Sequence, residues 1–339
     1  MTVTMPAGVQ TARDLVGPAI ADAVSRLSPE VRAVAEYHLG LADAGGQPIA
    51  GGARTGKALR PALVLLSARA AGVGQERGVP AAAAVELVHN FSLLHDDIMD
   101  GDTERRHQPT AWTVFGVGPA ILAGDALLVL AQDLLLGNPP NGVWAARCLS
   151  AAVQRLIEGQ GADLAFERRD DVKVEECLAM AGDKTAALMA CACSIGAIYV
   201  GAPADLAMNL ASFGAHAGQA FQLVDDLLGI WGAPEVTGKP VGSDLRARKK
   251  SMPVVVALAS GTEAGRELAA LLAQPEPLTD DQVAQATALV EEAGGKSRTE
   301  AEAQAQLSSA AGSLAAAQMS EDVRDEFRAI AEFITARQW

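Results

Sequence analysis

Apolar residues recur at helical spacing along nearly the whole chain. Between residues 10 and 40 they fall at Leu15, Ile20, Ala23, Val24, Leu27, Val31 and Val34, one stripe of a 3.6-residue period, which predicts a helix. The same pattern predicts helices at 59–71, 81–99, 119–136, 142–168, 174–200, 204–231, 251–273, 280–294, 298–318 and 320–336. Gly/Pro punctuation separates them: GGQPIAGGARTGK (45–57), GVGQERGVP, GNPPNG after Leu136 and GAPEVTGKPVGSD after Trp231. Such clusters break helices. The alternation of β-branched and aromatic residues that marks strands is scarce. The expectation is an all-α bundle of about a dozen helices around a central cavity.

Length alone would suggest roughly two domains. No Ser/Pro-rich linker, low-complexity tract or fixed-period repeat offers a boundary, so residues 1–339 read as a single domain. Hydrophobic residues make up 50% and aromatics only 4%. The apolar mass is therefore mostly Ala, Leu and Val, and Ala and Leu favour helices.

A net charge of −14 argues against nucleic acid, which needs a basic footprint, and against an anionic membrane surface. Cys148, Cys177, Cys191 and Cys193 fit no zinc spacing and read as small buried hydrophobes. The N-terminal MTVTMPAGVQTARDLV lacks the parts of a secretory signal. No apolar run reaches about 20 residues without a charge or a Gly/Pro break. A cytoplasmic protein with no membrane span is expected.

Charge concentrates in two loops, 101–110 and 232–250, each following an acidic helix end. In HNFSLLHDDIMDGDTERRHQPT (89–110), Asp96 and Asp100 are four apart and share a helix face. No cation intervenes before Arg105, so the carboxylates repel one another and oppose the helix dipole. A hard dication answers both problems, because Mg²⁺ takes one or two carboxylates plus phosphate oxygens. FQLVDDLLGIWG (221–232) repeats the arrangement with Asp225, Asp226 and, one turn earlier, Gln222. Lys239, Asp244, Arg246, Arg248, Lys249 and Lys250 come soon after. Further polar intrusions are Asp163 in EGQGAD, Lys184 and Thr185 in GDKTAAL, Lys57 and Arg60 in GKALRP, and His89, seven before Asp96. Together they describe a helical bundle whose mouth is lined by acids and bases and binds polyanions through divalent metal.

These residues, in this order, resemble the trans-isoprenyl diphosphate synthases, or polyprenyl synthetases, over residues 50 to 255. DDIMD is similar to the family's first aspartate-rich motif, FQLVDD to the start of its second, and GKALRP to its GKxxRP; KT and TGKPVGSDLRARK also stand in family order. The resemblance implies that Lys57, Arg60, His89 and Arg106 bind the diphosphate of isopentenyl diphosphate. It implies that Asp96, Asp100, Asp163 and Asp225 hold three Mg²⁺ ions, and that Arg105, Lys184, Lys239 and Lys249 hold the allylic diphosphate. Thr185 and Gln222 would place oxygen dipoles near the reacting carbon. The implied partner is a second copy, as a homodimer.

Two positions depart from the family pattern. Gly229 stands where the second motif usually has a third Asp, and Ala58 where the basic motif commonly has Arg. Phe91 lies five residues before Asp96, about 7 Å deeper along a helix. In the family an aromatic there acts as a floor to the growing chain, and with small Ser92 beside it the pattern resembles geranylgeranyl or farnesyl diphosphate synthases. A terpene cyclase of the same fold has no use for Lys57, Arg60, His89 and Arg106. A non-catalytic subunit would be expected to lose the first acidic cluster.

Overall fold

Pro29 divides the first predicted helix in two. In the computed structural model, which describes residues 7–49, 58–106, 108–138, 140–234 and 240–335, α1 spans Ala7–Ser25 and α2 Pro29–His38. Proline at the first position of α2 lacks an amide donor that the preceding turn would need, so the helix restarts there. Lys57 and Lys239 lie outside the described residues.

The helices α3 (Leu59–Ala70), α4 (Val79–Met99), α6 (Val117–Leu136), α7 (Asn141–Phe166) and α10 (Ala204–Trp231) match expectation closely. The loop after α4 instead forms a two-stranded hairpin, β1 (Glu104–Arg105) with β2 (Gln108–Pro109), followed by the short α5 (Ala111–Phe115). The predicted helix 174–200 is α8 (Val174–Ala181), one π-helical turn at Gly182–Ala186, and α9 (Ala187–Tyr199). The loop after α10 carries a four-residue helix, α11 (Ser243–Arg246). The predicted helix 251–273 is split into α12 (Met252–Leu258) and α13 (Glu263–Leu272), where the Thr262 hydroxyl accepts from the Gly265 amide and caps the second piece. The chain ends with α14 (Asp280–Glu292), α15 (Gly295–Ala316) and α16 (Glu321–Thr335).

The main core joins the inner faces of α1, α3, α4, α6, α7, α9 and α10, with Leu63, Leu87, Leu127, Leu149, Leu188 and Leu210 fully buried. A smaller core gathers α12, α13 and α14 under the end of α10 through Ile230, Val254, Leu268 and Val290. Helix α4 packs on α6, while α10 is held between α9 and α15. This arrangement carries the acidic ends of α4 and α10, and the π turn, to one locality.

Two helical stretches are long and apolar enough to cross a membrane by length and composition alone, although one carries Asp125 and Asp133 and the other Asp183 and Lys184. Residues 174–199 are mostly core, with 67% of the apolar window buried, whereas 117–136 are 39% buried. On α6 and α7 the side chains of Leu122, Val129, Leu136, Val143 and Trp144 face outward.

Candidate active site

Helix α4 presents His89, Asp96 and, at its end, Asp100 along one side, as their spacing requires. Burial raises the Asp96 carboxyl to about 6; Asp100 and Asp97 push the same way, against Lys184 and Arg105. Asp100 is raised by burial too, with Asp163 and Asp102 adding to it, while Lys184 and Lys249 pull it down. Asp97 points elsewhere. It is 1% exposed, and its Oδ1 accepts from Arg105 Nε at 2.5 Å. Arg105 is thus fastened to the base of the hairpin, which Trp112 Nε1 and Thr110 Oγ1 also anchor by donating to the Asp102 carbonyl at 2.8 Å each.

The facing wall comes from α7, the π turn and α10. Lys184 Nζ pairs with Asp163 Oδ2 at 2.5 Å. Thr185 Oγ1 donates to Gln222 Oε1 at 2.6 Å, and Gln222 Nε2 donates to Asp226 Oδ1 at 2.9 Å. Asp226 is 3% exposed, and its other oxygen accepts from the Met252 amide at 2.9 Å. A π turn inserts one residue into a helix and re-aims the side chains beyond it, which is why such turns gather at functional sites. Here it carries both Lys184 and Thr185. Burial alone would lower the Lys249 ammonium, but Asp226, Asp244, Asp163 and Asp100 together raise it.

A second cationic group lies deeper. Arg60 Nη1 is 3.3 Å from His89 Nε2. With the guanidinium donating, that nitrogen must be the unprotonated one. Burial, then Arg60, Arg106, Arg105 and His38, holds the His89 imidazole well below its ordinary range, so it is neutral. Arg106 leaves the hairpin at φ +53, a left-handed conformation costly for a side chain of its size. Asp225 on α10 contributes to the field at Arg60, which ties the second acidic cluster to this group. Ala58, at the expected Arg position, is buried with φ +49 and starts α3.

Three residues here escaped the sequence reading. Glu86 is 3% exposed; burial raises its carboxyl, and Arg60, Arg106 and Asn90 oppose that. Asn90 Nδ2 donates to the Glu86 carbonyl at 2.8 Å, and His38 approaches from α2 near Arg105 and Arg106. The signal for Glu86 was a lone acid inside AAAAVELVHNF. An isolated buried carboxylate beside arginines holds them in place.

Phe91 is buried edge-on against His95, with ring centroids 4.8 Å apart. His95 Nε2 lies 3.1 Å from the Ile121 carbonyl, and a Cβ on Gly124 would sit 2.4 Å from that nitrogen. The packing around Phe91 therefore includes a second ring, which fits only because α6 has glycine at that point. Ser92 Oγ is turned back to donate to the His89 carbonyl at 2.8 Å.

The donor set suits a hard dication bound with its substrate. Among the described residues, no three His, Cys, Asp or Glu are arranged to hold an ion by themselves. Mg²⁺ needs no such cage, since it binds through one or two carboxylates and completes its shell with phosphate and water oxygens. Asp96 and Asp100, raised by burial and by other carboxylates, are groups whose ionised form a dication would favour.

Comparison with known proteins agrees with this geometry. The polyprenyl synthetase family model matches residues 48–290. A (2E,6E)-farnesyl diphosphate synthase of Mycobacterium tuberculosis is 46% identical over 331 residues, covering 96% of this chain and 92% of its own. A geranylgeranyl diphosphate synthase of the same organism is 47% identical over 289 residues, covering 85% and 82%. The crystal structure of a polyprenyl synthetase from Streptomyces coelicolor superposes with a TM-score of 0.92 at 50% identity, covering 97% of this chain and 98% of that one. The fold, the order of the motifs and these likenesses agree: the chain belongs to the polyprenyl synthetase family.

Proposed function

We propose that this chain is a short-chain trans-prenyltransferase. It joins isopentenyl diphosphate to an allylic diphosphate, releases diphosphate and yields geranylgeranyl or farnesyl diphosphate. The observation that carries this reading is the presence of two separate cationic groups: Lys184 and Lys249 among the carboxylates, and Arg60 and Arg106 beside neutral His89. Two such groups suit two diphosphates.

Asp96, Asp100, Asp163 and Asp225 would hold three Mg²⁺ ions with the allylic diphosphate. When bound, the ions supply Lewis-acid neutralisation of the charge that builds on the leaving group. Lys184, Lys249, Arg105 and Lys239 steady the same diphosphate, while Lys57, Arg60, His89 and Arg106 hold that of isopentenyl diphosphate. Release of Lys184 from Asp163 frees both for these roles. Thr185 and Gln222 aim oxygen dipoles at the allylic cation. The apolar helices around it exclude water that would quench it. Attack by the isopentenyl double bond forms the new C–C bond, and the proton lost goes to the departing diphosphate, so no separate base is assigned.

The outward apolar side chains of α6 and α7, including Leu122, Val129 and Trp144, support a homodimer through this face. Sedimentation of Leu122→Asp tests that assignment; an unchanged mass would remove it.

The deciding experiment incubates the protein with isopentenyl diphosphate, Mg²⁺ and each allylic starter, then chromatographs the dephosphorylated products. Elongated prenols support the proposal; a hydrocarbon formed from one prenyl diphosphate alone would replace it with a cyclase. Phe91→Ala in the same assay is expected to give longer products.

A further inference from the structure

Helix α2 stands behind the hairpin that carries Arg105 and Arg106. The Tyr37 hydroxyl donates to the Pro109 carbonyl at 2.8 Å and so fastens β2 to α2. The next residue, His38, lines a small recess of about 40 Å³ together with Asp97, Arg105 and Arg106. A water molecule needs roughly 10–15 Å³ of such space and at least two polar partners. Two are at hand. His38 Nε2 and Asp97 Oδ2 are buried, and among the described residues neither has a hydrogen-bond partner. Buried polar atoms are nearly always paired, either with protein or with ordered water. Burial, with Arg106 and Arg105, brings the His38 imidazole down to about 3 and keeps it neutral, so one of its ring nitrogens is an acceptor.

We infer that His38 is a positioning residue for Arg106, acting through one water held between His38 Nε2 and Asp97 Oδ2. This rests on the proposed role of Arg106 in holding the diphosphate of isopentenyl diphosphate. A water that donates one hydrogen to each of these acceptors turns its oxygen to the rest of the recess, where a guanidinium N–H can donate to it. Arg105 Nε is committed to Asp97 Oδ1. Arg106 is the residue whose backbone needs holding. Its φ of +53 is a conformation that persists only where the surroundings enforce it. The hairpin pairs only two residues on each strand, too short a ladder to be stable by itself. Asp97, which fastens Arg105 directly, thus steadies Arg106 through its second oxygen, and α2 supplies the other end of that bridge.

The test measures Kd for isopentenyl diphosphate and for an allylic diphosphate, by calorimetry, in the full-length protein and in His38→Phe, His38→Gln and Arg106→Gln. His38→Phe fills the recess with an apolar ring. It is expected to weaken isopentenyl diphosphate about tenfold, the usual consequence of losing a hydrogen bond to a charged group, and the allylic diphosphate by less than about twofold. His38→Gln offers an amide oxygen in place of Nε2 and is expected to restore binding. A merely structural histidine would weaken both ligands together. A crystal structure of the wild-type protein is expected to show a water within about 3.2 Å of His38 Nε2 and Asp97 Oδ2. A dry recess would overturn the inference, whether or not His38→Phe folds. So would a His38→Phe that binds isopentenyl diphosphate as wild type does, or that weakens both ligands equally. Arg106→Gln separates the two levels. If it weakens isopentenyl diphosphate and His38→Phe does not, only the role of His38 fails; if Arg106→Gln binds unchanged, the assignment of Arg106 fails and the inference with it.

Discussion

The acidic ends of α4 and α10 divide their aspartates in the same way but secure them differently. In each adjacent pair the second residue turns into the protein: Asp97 is 1% exposed and Asp226 3%. The first residues, Asp96 and Asp225, stay partly accessible. Neighbours on an α-helix point about 100° apart, so two adjacent aspartates cannot both face one cleft. The inward member fixes the next segment of the chain. Asp97 holds Arg105 of the hairpin, and one of its oxygens has no partner. Asp226 satisfies both oxygens with neutral donors, Gln222 Nε2 and the Met252 amide, and so pins the start of α12 to α10. A doubled aspartate here is one partly accessible group and one structural pin.

The largest effect expected from this division is on turnover. Asp96→Asn should lower kcat by about 10³-fold or more, as losing a charge-stabilising group at a reacting centre does. It should also stabilise the metal-free protein. The folded Asp96 carboxyl sits at about 6 against an ordinary 3.8, so at pH 7.5 its ionised form costs on the order of 1–3 kcal/mol, which the amide avoids. Higher melting temperature with lost turnover would confirm the assignment, and a destabilised Asp96→Asn would contradict it.

The inward aspartates should behave in reverse, and unequally. Asp226→Ala leaves the buried Met252 amide and Gln222 without their acceptor and should cost about 3 kcal/mol. Asp97→Ala should cost only about 1 kcal/mol, because Arg105, 29% exposed, can turn to water. Urea unfolding of both variants tests the ranking; if Asp97→Ala costs more, the hairpin depends on its pin more than α12 depends on Asp226.

Much of this was legible in the sequence because charge inside apolar helices is conspicuous. Asp96, Asp100, Asp163, Lys184, Arg60 and His89 all stood out on that ground, and the structure gathers them. Helix existence followed from periodicity, but interruptions did not. A π turn at 182–186 shifts the phase by a single residue, too little to show against a run of Ala and Leu, and the break at Pro29 was bridged by apolar residues on both sides. Which member of each aspartate pair faces the cleft depends on the helix's rotation, which 3.6-residue spacing does not set. The pairing of Lys184 with Asp163 joins residues assigned to different ligands.

The smallest effect concerns proton balance and sets the acidic cluster against the imidazoles behind it. Burial, with Arg106 and Arg105, lowers the His38 imidazole from 6.5 to about 3. Between these values the unfolded chain takes up a proton that the folded protein refuses. Its contribution is complete above pH 6.5 and is lost as pH falls. Asp96 runs the other way. Its folded carboxyl keeps a proton up to about 6 while the unfolded one loses it near 3.8, so its contribution falls as pH rises through that window. Between pH 5 and 6 the two slopes oppose each other, each worth about 1 kcal/mol per pH unit. Removing one should expose the other. Asp96→Asn should make unfolding free energy fall more steeply on acidification from pH 6 to 5, and His38→Gln should flatten or reverse the fall. Urea titrations across that interval report the slope whatever each variant does to absolute stability. Equal slopes in wild type and both variants would mean that neither group changes its protonation on folding, and the electrostatic contrast between the carboxylates and the imidazoles would be lost.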